Sequence, residues 1–119
     1  MIALDPRHLT PAEVAVVAAA VRQAPVEVGF TVDDQHLALN LRLVGKCDCG
    51  CASVFFSTEE WAATQHRVAD GVGRTADGEE IGVIVWATST GLAHLELYSF
   101  SERPTPLPEP SSIRPSGFE

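Results

Sequence analysis

The feature that most constrains the fold is an alternation of apolar and polar residues that recurs in short segments along the chain. A period of two is typical of half-buried β-strands, because successive side chains of a strand point to opposite faces of its sheet. The β-like segments are 26–32, 37–44, 52–56, 81–88 and 92–100. Short connections between most of them favour an antiparallel sheet of about five strands. Segment 81–88 is apolar on both faces and is predicted to lie centrally.

One helix is predicted ahead of these strands. Thr10 can cap its first turn, Pro11 suits the first helical position, and Glu13 can reach back to the amide of the cap. The apolar residues that follow recur at helical spacing, and Pro25 ends the pattern. The helix is apolar over most of its surface, so we expect it to lie flat against one face of the sheet.

Other local signals complete the predicted organisation. Residues 57–60 form a second capping sequence, which predicts a short helix over 58–68. Residues 33–35 predict a turn, and the glycine and aspartate residues of 70–78 predict a loop. A sheet covered on one face by the N-terminal helix makes the predicted fold class α+β, in two layers.

The composition changes at Pro104. Five of the eight prolines lie in the last 16 residues, which excludes a helix or a central strand there. We therefore divide the chain into a single α+β domain, 1–103, and a proline-rich extended tail, 104–119. The tail resembles segments that dock on partner proteins, but we favour packing of 104–110 on the domain and disorder after Ser111.

Charge limits the classes of partner. The formal net charge is −8 at pH 7, which argues against binding of nucleic acid or of anionic membrane surfaces. It suits a cationic protein partner, although an acidic surface can also serve solubility alone. No apolar run approaches the roughly 20 residues of a membrane span, so we expect a cytoplasmic protein.

Cys47, Cys49 and Cys51 lie within five residues and are the only cysteines of the chain. Their odd number and close spacing argue against disulfides, and reduced thiols suit the cytoplasm. On an extended strand their sulfurs would lie about 6–7 Å apart, whereas a tetrahedral zinc site needs roughly 3.8 Å. Metal binding therefore requires a turn at this point, which Gly50 can supply.

The cluster permits three interpretations. Three thiolates favour zinc or copper(I), with a fourth ligand from His66, from His94 or from a histidine of a second subunit. Alternatively the cysteines are structural thiols, small apolar residues that pack on a tight strand-to-strand junction. The third possibility is a redox or nucleophilic thiol, for which neighbouring Lys46 is favourable and Asp48 unfavourable.

Recognisable catalytic motifs are absent from the sequence. His94 and Glu96 share a strand face but are more typical of a solvated surface, and the carboxylates of Glu59 and Glu60 are explained by helix capping. The sequence has neither a glycine-rich phosphate loop nor a nucleophile elbow. We therefore expect a protein that is not an enzyme.

The Cys-x-Cys-Gly-Cys junction, the Gly-Val-Ile-Val-Trp strand and the segment Leu-Glu-Leu-Tyr-Ser-Phe at 95–100 resemble small bacterial proteins of unknown function, over residues 36–110. In size, charge and architecture the chain is also similar to immunity partners of bacterial toxins. The leading prediction is a cytoplasmic protein-interaction domain, with an immunity-type or regulatory role as one form and a homodimer through an exposed edge strand, 92–100, as another. The alternative is a small zinc-binding protein that uses the cysteine cluster.

Overall fold

The computed structural model describes residues 2–27, 29–56, 65–89, 91–101 and 104–116. Within them the chain is an α+β protein with a seven-stranded antiparallel sheet, so the predicted class is confirmed and the strand number is higher than expected. The elements in chain order are β1 (Ile2–His8), α1 (Pro11–Gln23), α2 (Asp34–Leu39), β2 (Arg42–Lys46), β3 (Val54–Phe55), β4 (His66–Arg74), β5 (Glu80–Thr88), β6 (Gly91–Ser99), a 3₁₀ turn (Pro110–Ser112) and β7 (Arg114–Pro115).

The strand order across the sheet is β1-β2-β3-β6-β5-β4-β7. Strand β5 is paired on both sides, which confirms its predicted central position. Segment 92–100 was considered as an exposed edge through which two copies could pair. The edge position is wrong, because β6 pairs with β3 on one side and with β5 on the other. A homodimer by itself stays a prediction. The two edges are β1 and the short β7, and β1 contains Pro6 and an irregular register that disfavour further pairing.

Helix α1 covers one face of the sheet. Its capping box is formed as predicted: the Thr10 side chain accepts from the Glu13 amide, and the Glu13 carboxylate accepts from the Thr10 amide. Two guanidinium nitrogens of Arg7 also donate to Glu13, at 3.0 and 3.1 Å. Burial alone would raise the pKa of Glu13, but the hydrogen bonds from Arg7 and Thr10 outweigh it and lower that pKa. The strand β1, which was not predicted, therefore stabilises the start of the helix.

Segments 26–32 and 37–44 are not the strands that their alternation predicted. Residues 29–33 carry no regular structure, and Gly29 has a φ of +85°. The predicted turn at 33–35 is the start of α2, where the Asp33 side chain accepts from the Gln35 amide. Helix α2 buries Leu37 against the core and leaves Leu39 exposed. The Asp33 cap and the burial of Leu37 outweigh the strand-like alternation. Only the end of the second segment, from Arg42, is strand.

The predicted helix over 58–68 falls partly on residues 57–64, which lie outside the described residues. Its end is wrong, since 66–68 belong to strand β4. The loop predicted at 70–78 is wrong over 70–74, because these residues continue β4. A Cβ at Gly71 would lie 2.5 Å from the Arg114 carbonyl oxygen, and one at Gly73 would lie 3.0 Å from Pro108. These glycines therefore allow close approach of the tail and do not mark a loop.

The tail packs on the domain. The Glu109 amide donates to the Arg74 carbonyl, and the side chain of Gln23 donates to the Ile113 carbonyl. Ile113 is 3% exposed within the core, and β7 pairs with β4. Packing over 104–110 is confirmed, and the disorder expected after Ser111 is wrong through residue 116.

Candidate metal centre

The three cysteines lie on the loop that joins β2 to β3. All three are free thiols; Cys49 is exposed, and Cys47 and Cys51 are half-buried. Their sulfur atoms all lie within 4.8 Å of one another, and no other group of His, Cys, Asp or Glu side chains in the described ranges converges in this way. The turn that the sequence required for metal binding is therefore present.

Gly50 and local hydrogen bonds shape this turn. Gly50 has a φ of +89°, which a side chain would disfavour, and the Cys47 amide donates to the Ser53 carbonyl at 3.2 Å. The amide of Cys49 points at the sulfur of Cys47, and the amide of Cys51 points at the sulfur of Cys49, each at 3.4 Å. Amide donors directed at sulfur favour the negative thiolate, which is the form that binds metal.

Ser53 fastens the loop to the sheet. Its hydroxyl accepts from the Leu97 amide at 2.8 Å and donates to the Leu97 carbonyl at 3.0 Å. Strand β3 begins only at Val54, and the Ala52 amide donates instead to the Thr105 carbonyl at 2.7 Å. The Ser53 side chain thus replaces a missing backbone pair beside β6. Sequence reasoning missed Ser53, because nothing in the pattern shows that a serine will complete a strand ladder.

The thiols differ in proton affinity. The hydrogen bond with the Cys49 side chain outweighs the opposing bond from the Cys49 amide and, together with burial, raises the pKa of Cys47 to about 11. Hydrogen bonds from Cys47 and Cys51 lower the pKa of Cys49. The neighbouring thiols therefore stabilise a negative charge on the exposed Cys49 sulfur while Cys47 keeps its proton.

A cleft of about 250 Å³ opens beside the cluster. Two of the cysteines, Cys49 and Cys51, form one wall. The other lining residues come from β6, from the residues that follow it and from the start of the tail, and they are Leu97, Tyr98, Ser99, Ser101, Pro104 and Thr105. The cleft therefore gives a small molecule access to the sulfurs of Cys49 and Cys51.

The histidines proposed as fourth ligands lie elsewhere. His66 begins β4, which β5 and β6 separate from β3, and its Nε2 atom is 3.1 Å from a carboxylate oxygen of Glu27. His94 is 3% exposed and stacks on Phe55 with ring centroids 4.0 Å apart. Burial lowers the pKa of His94 to about 4. The structure brings neither histidine into the sulfur cluster.

The geometry excludes burial of the cysteines in the core and is compatible with the metal-binding interpretation. They lie at a strand-to-strand junction, between β2 and β3, but none of them belongs to the hydrophobic core, so their prediction as core residues is wrong. The spacing of the sulfurs is compatible with a thiophilic ion, provided that the separation of 2.9 Å between Cys49 and Cys51 opens by about 1 Å to match a tetrahedral thiolate site. The exposed loop leaves room for that adjustment.

Comparison of the chain with protein-family models, with curated proteins and with solved structures gave no match. The resemblance to small bacterial proteins therefore stays a prediction. No helix within the described residues is long and apolar enough to cross a membrane. The chain is an α+β protein that has a cluster of three free thiols on the loop between β2 and β3.

Proposed function

We propose that this protein binds one thiophilic metal ion, zinc(II) or copper(I), through Cys47, Cys49 and Cys51. The observation that carries the proposal is the convergence of three sulfurs within 4.8 Å on one loop. Soft thiolate ligands select these ions over magnesium or calcium. Amide donors directed at two of the sulfurs supply the hydrogen bonds that such ligands usually receive.

The surroundings favour a role in metal handling over a structural role. A structural zinc site normally has four protein ligands and organises the fold around it. Here the core is complete without the cysteines, and the loop is already held through Ser53 and through the Ala52 amide. Three sulfurs beside an open cleft leave one position of a tetrahedral ion for an exchangeable ligand. We place the protein in the cytoplasm, where thiols stay reduced.

Metal affinity of single variants tests the proposal. Purified full-length chain is titrated with zinc(II), and separately with copper(I) under reducing conditions, against a chromogenic chelator. We expect one ion per chain, and a loss of at least about tenfold in affinity for each of Cys47→Ser, Cys49→Ser and Cys51→Ser. Circular dichroism should show the same fold with and without metal.

His66→Gln is the matched control. It removes a potential metal ligand that pairs with Glu27 outside the cluster, so we expect unchanged affinity. Absence of stoichiometric binding of either ion to the wild-type chain would refute the proposal. Equal loss in His66→Gln would instead restore the histidine as a ligand.

A second candidate is the protein-interaction domain. Phe100 is 65% exposed between Ser99 and Ser101, which line the cleft, and a net charge of −8 favours a cationic partner. The packing of the tail removes one of the reasons for this role, because 104–110 contacts its own domain. Its test is copurification from the native host with wild-type chain and with Phe100→Ser. A partner that the variant retains equally would exclude this surface; an immunity-type role stays a prediction.

A further inference from the structure

We infer that Cys49 and Cys51 also form a dithiol that exchanges with small disulfides entering the cleft, and that Cys47 stays outside the oxidised pair. The inference concerns the loop of the proposed metal site, but it does not require metal binding. It assigns an additional activity, thiol–disulfide exchange, and a substrate class, low-molecular-weight disulfides.

The first observation is the distance between the two sulfurs. Cys49 Sγ and Cys51 Sγ lie 2.9 Å apart, less than 1 Å longer than a disulfide bond of about 2.05 Å. The single residue between them is Gly50 with a φ of +89°, so the turn already holds the two side chains side by side. Little movement of the loop is therefore needed to join them.

The second observation is independent of that distance and selects the same pair. The cleft is lined by Cys49 and Cys51, and Cys47 is outside its lining. A disulfide that enters the cleft meets the exposed sulfur of Cys49 first. The half-buried sulfur of Cys51, 3.3 Å from the Ser53 hydroxyl, is then adjacent and is held by the anchored part of the loop.

The exchange balances without another reactant. The Cys49 thiolate attacks one sulfur of a disulfide RSSR, breaks its S–S bond and releases one thiolate RS⁻, which leaves a mixed disulfide on Cys49. The Cys51 thiolate then attacks the Cys49 sulfur, forms the Cys49–Cys51 bond and releases the second RS⁻. The cysteine pair loses two electrons, RSSR gains them, and the two protons of the thiols pass to the released RS⁻ groups.

Oxidation and metal binding use the same sulfurs and therefore exclude each other. A chain with a Cys49–Cys51 disulfide keeps one thiol, that of Cys47, which by itself is a weak metal ligand. If the proposed metal site exists, oxidation by a small disulfide releases the metal ion, and reduction by a small thiol restores the site.

Disulfide mapping of metal-free chain tests the inference. The full chain is freed of metal with a chelator, treated with oxidised glutathione and quenched with iodoacetamide. We expect a product about 2 Da lighter before alkylation, with one alkylated thiol at Cys47. The Cys49–Cys51 bond should exceed the other two pairings by at least roughly tenfold. Cys47→Ser should give the same bond, whereas Cys51→Ser should stop at the glutathione adduct on Cys49.

The matched control is the same chain oxidised in urea, where folding no longer selects a pair. A native mixture of pairings equal to the urea mixture would overturn the inference, and so would a native chain that fails to oxidise while the unfolded chain does. Both readouts use metal-free protein, so they stand even if metal titration fails. Oxidation of zinc-loaded chain, with a chromogenic chelator to detect released ion, then tests the coupling separately.

Discussion

The replacement of Ser53 by alanine tests the link between the cysteine loop and the sheet. Ser53 is 4% exposed, and its hydroxyl contacts both the amide and the carbonyl of Leu97. The serine takes the place of a backbone pair that β3 is too short to provide. Ser53→Ala removes that hydroxyl while it adds no bulk, so the Leu97 groups lose a partner with no steric change.

The expected loss of stability follows from the amide and the carbonyl of Leu97, which both lose the Ser53 hydroxyl as a partner. A buried donor or acceptor left without a partner costs about 1–3 kcal/mol. Leu97 also lines the cleft, so a water molecule that enters the space left by the hydroxyl would recover part of the penalty. We therefore expect Ser53→Ala to lower the free energy of unfolding by about 2–4 kcal/mol.

Urea unfolding followed by tryptophan fluorescence measures this difference. The matched control is Ser99→Ala on β6, the strand that also contains Leu97. The Ser99 hydroxyl bonds to Glu79 and Ser101 at a half-exposed position, so we expect a loss below about 1 kcal/mol. A Ser53→Ala effect no larger than that of Ser99→Ala would refute the argument that the Ser53 side chain completes the sheet.

Three further substitutions have defined outcomes. Gly50→Ala forces a side chain into a positive φ, which costs about 1–2 kcal/mol, and it should weaken metal binding about 5- to 30-fold. Gly78→Ala introduces the same strain in another turn and should leave the metal affinity unchanged. Equal effects of the two substitutions on metal affinity would contradict this role of Gly50. Because burial lowers the pKa of His94 to about 4, the unfolded chain binds one more proton below about pH 6.5, so stability should fall from there towards pH 4 by up to about 3 kcal/mol. Urea unfolding across this range should show that slope for wild type and a flatter one for His94→Phe; parallel curves would exclude the buried neutral imidazole. Ile113→Ala should cost about 2–4 kcal/mol in the same assay, and no change would mean that the tail does not contribute to the core.

Local sequence patterns predicted the structure correctly where one interaction between near neighbours dominates. The capping box of α1 needs only Thr10 and Glu13, which lie three residues apart, and its apolar surface requires burial whatever covers it. Strands β5 and β6 are only two residues apart in the sequence, so their pairing involves near neighbours along the chain. The fold class followed from these elements.

The same patterns failed where distant residues compete with local preference. Residues 37–39 alternate like a strand, yet Asp33 caps a helix there and Leu37 reaches the core. Gly71 and Gly73 are typical of a loop, but they lie inside β4 because the tail passes too close for a side chain. The tail itself was expected to end in disorder, whereas Ile113 enters the core from the far end of the chain.

For the cysteine cluster, the sequence alone supplied three soft sulfur ligands within five residues and showed that they can act together only across a turn. Only the tertiary structure decided that the turn forms and that Cys49 and Cys51, but not Cys47, face a cleft. It also decided that Ser53 holds the loop and that β5 and β6 separate His66, on β4, from the cysteine loop beside β3. The physical reason is that the affinity of a thiolate for soft metals is a property of each cysteine side chain. The distances between the sulfurs and their access to solvent depend on how the loop packs against β6 and the tail, whose contact residues lie more than forty residues further along the chain.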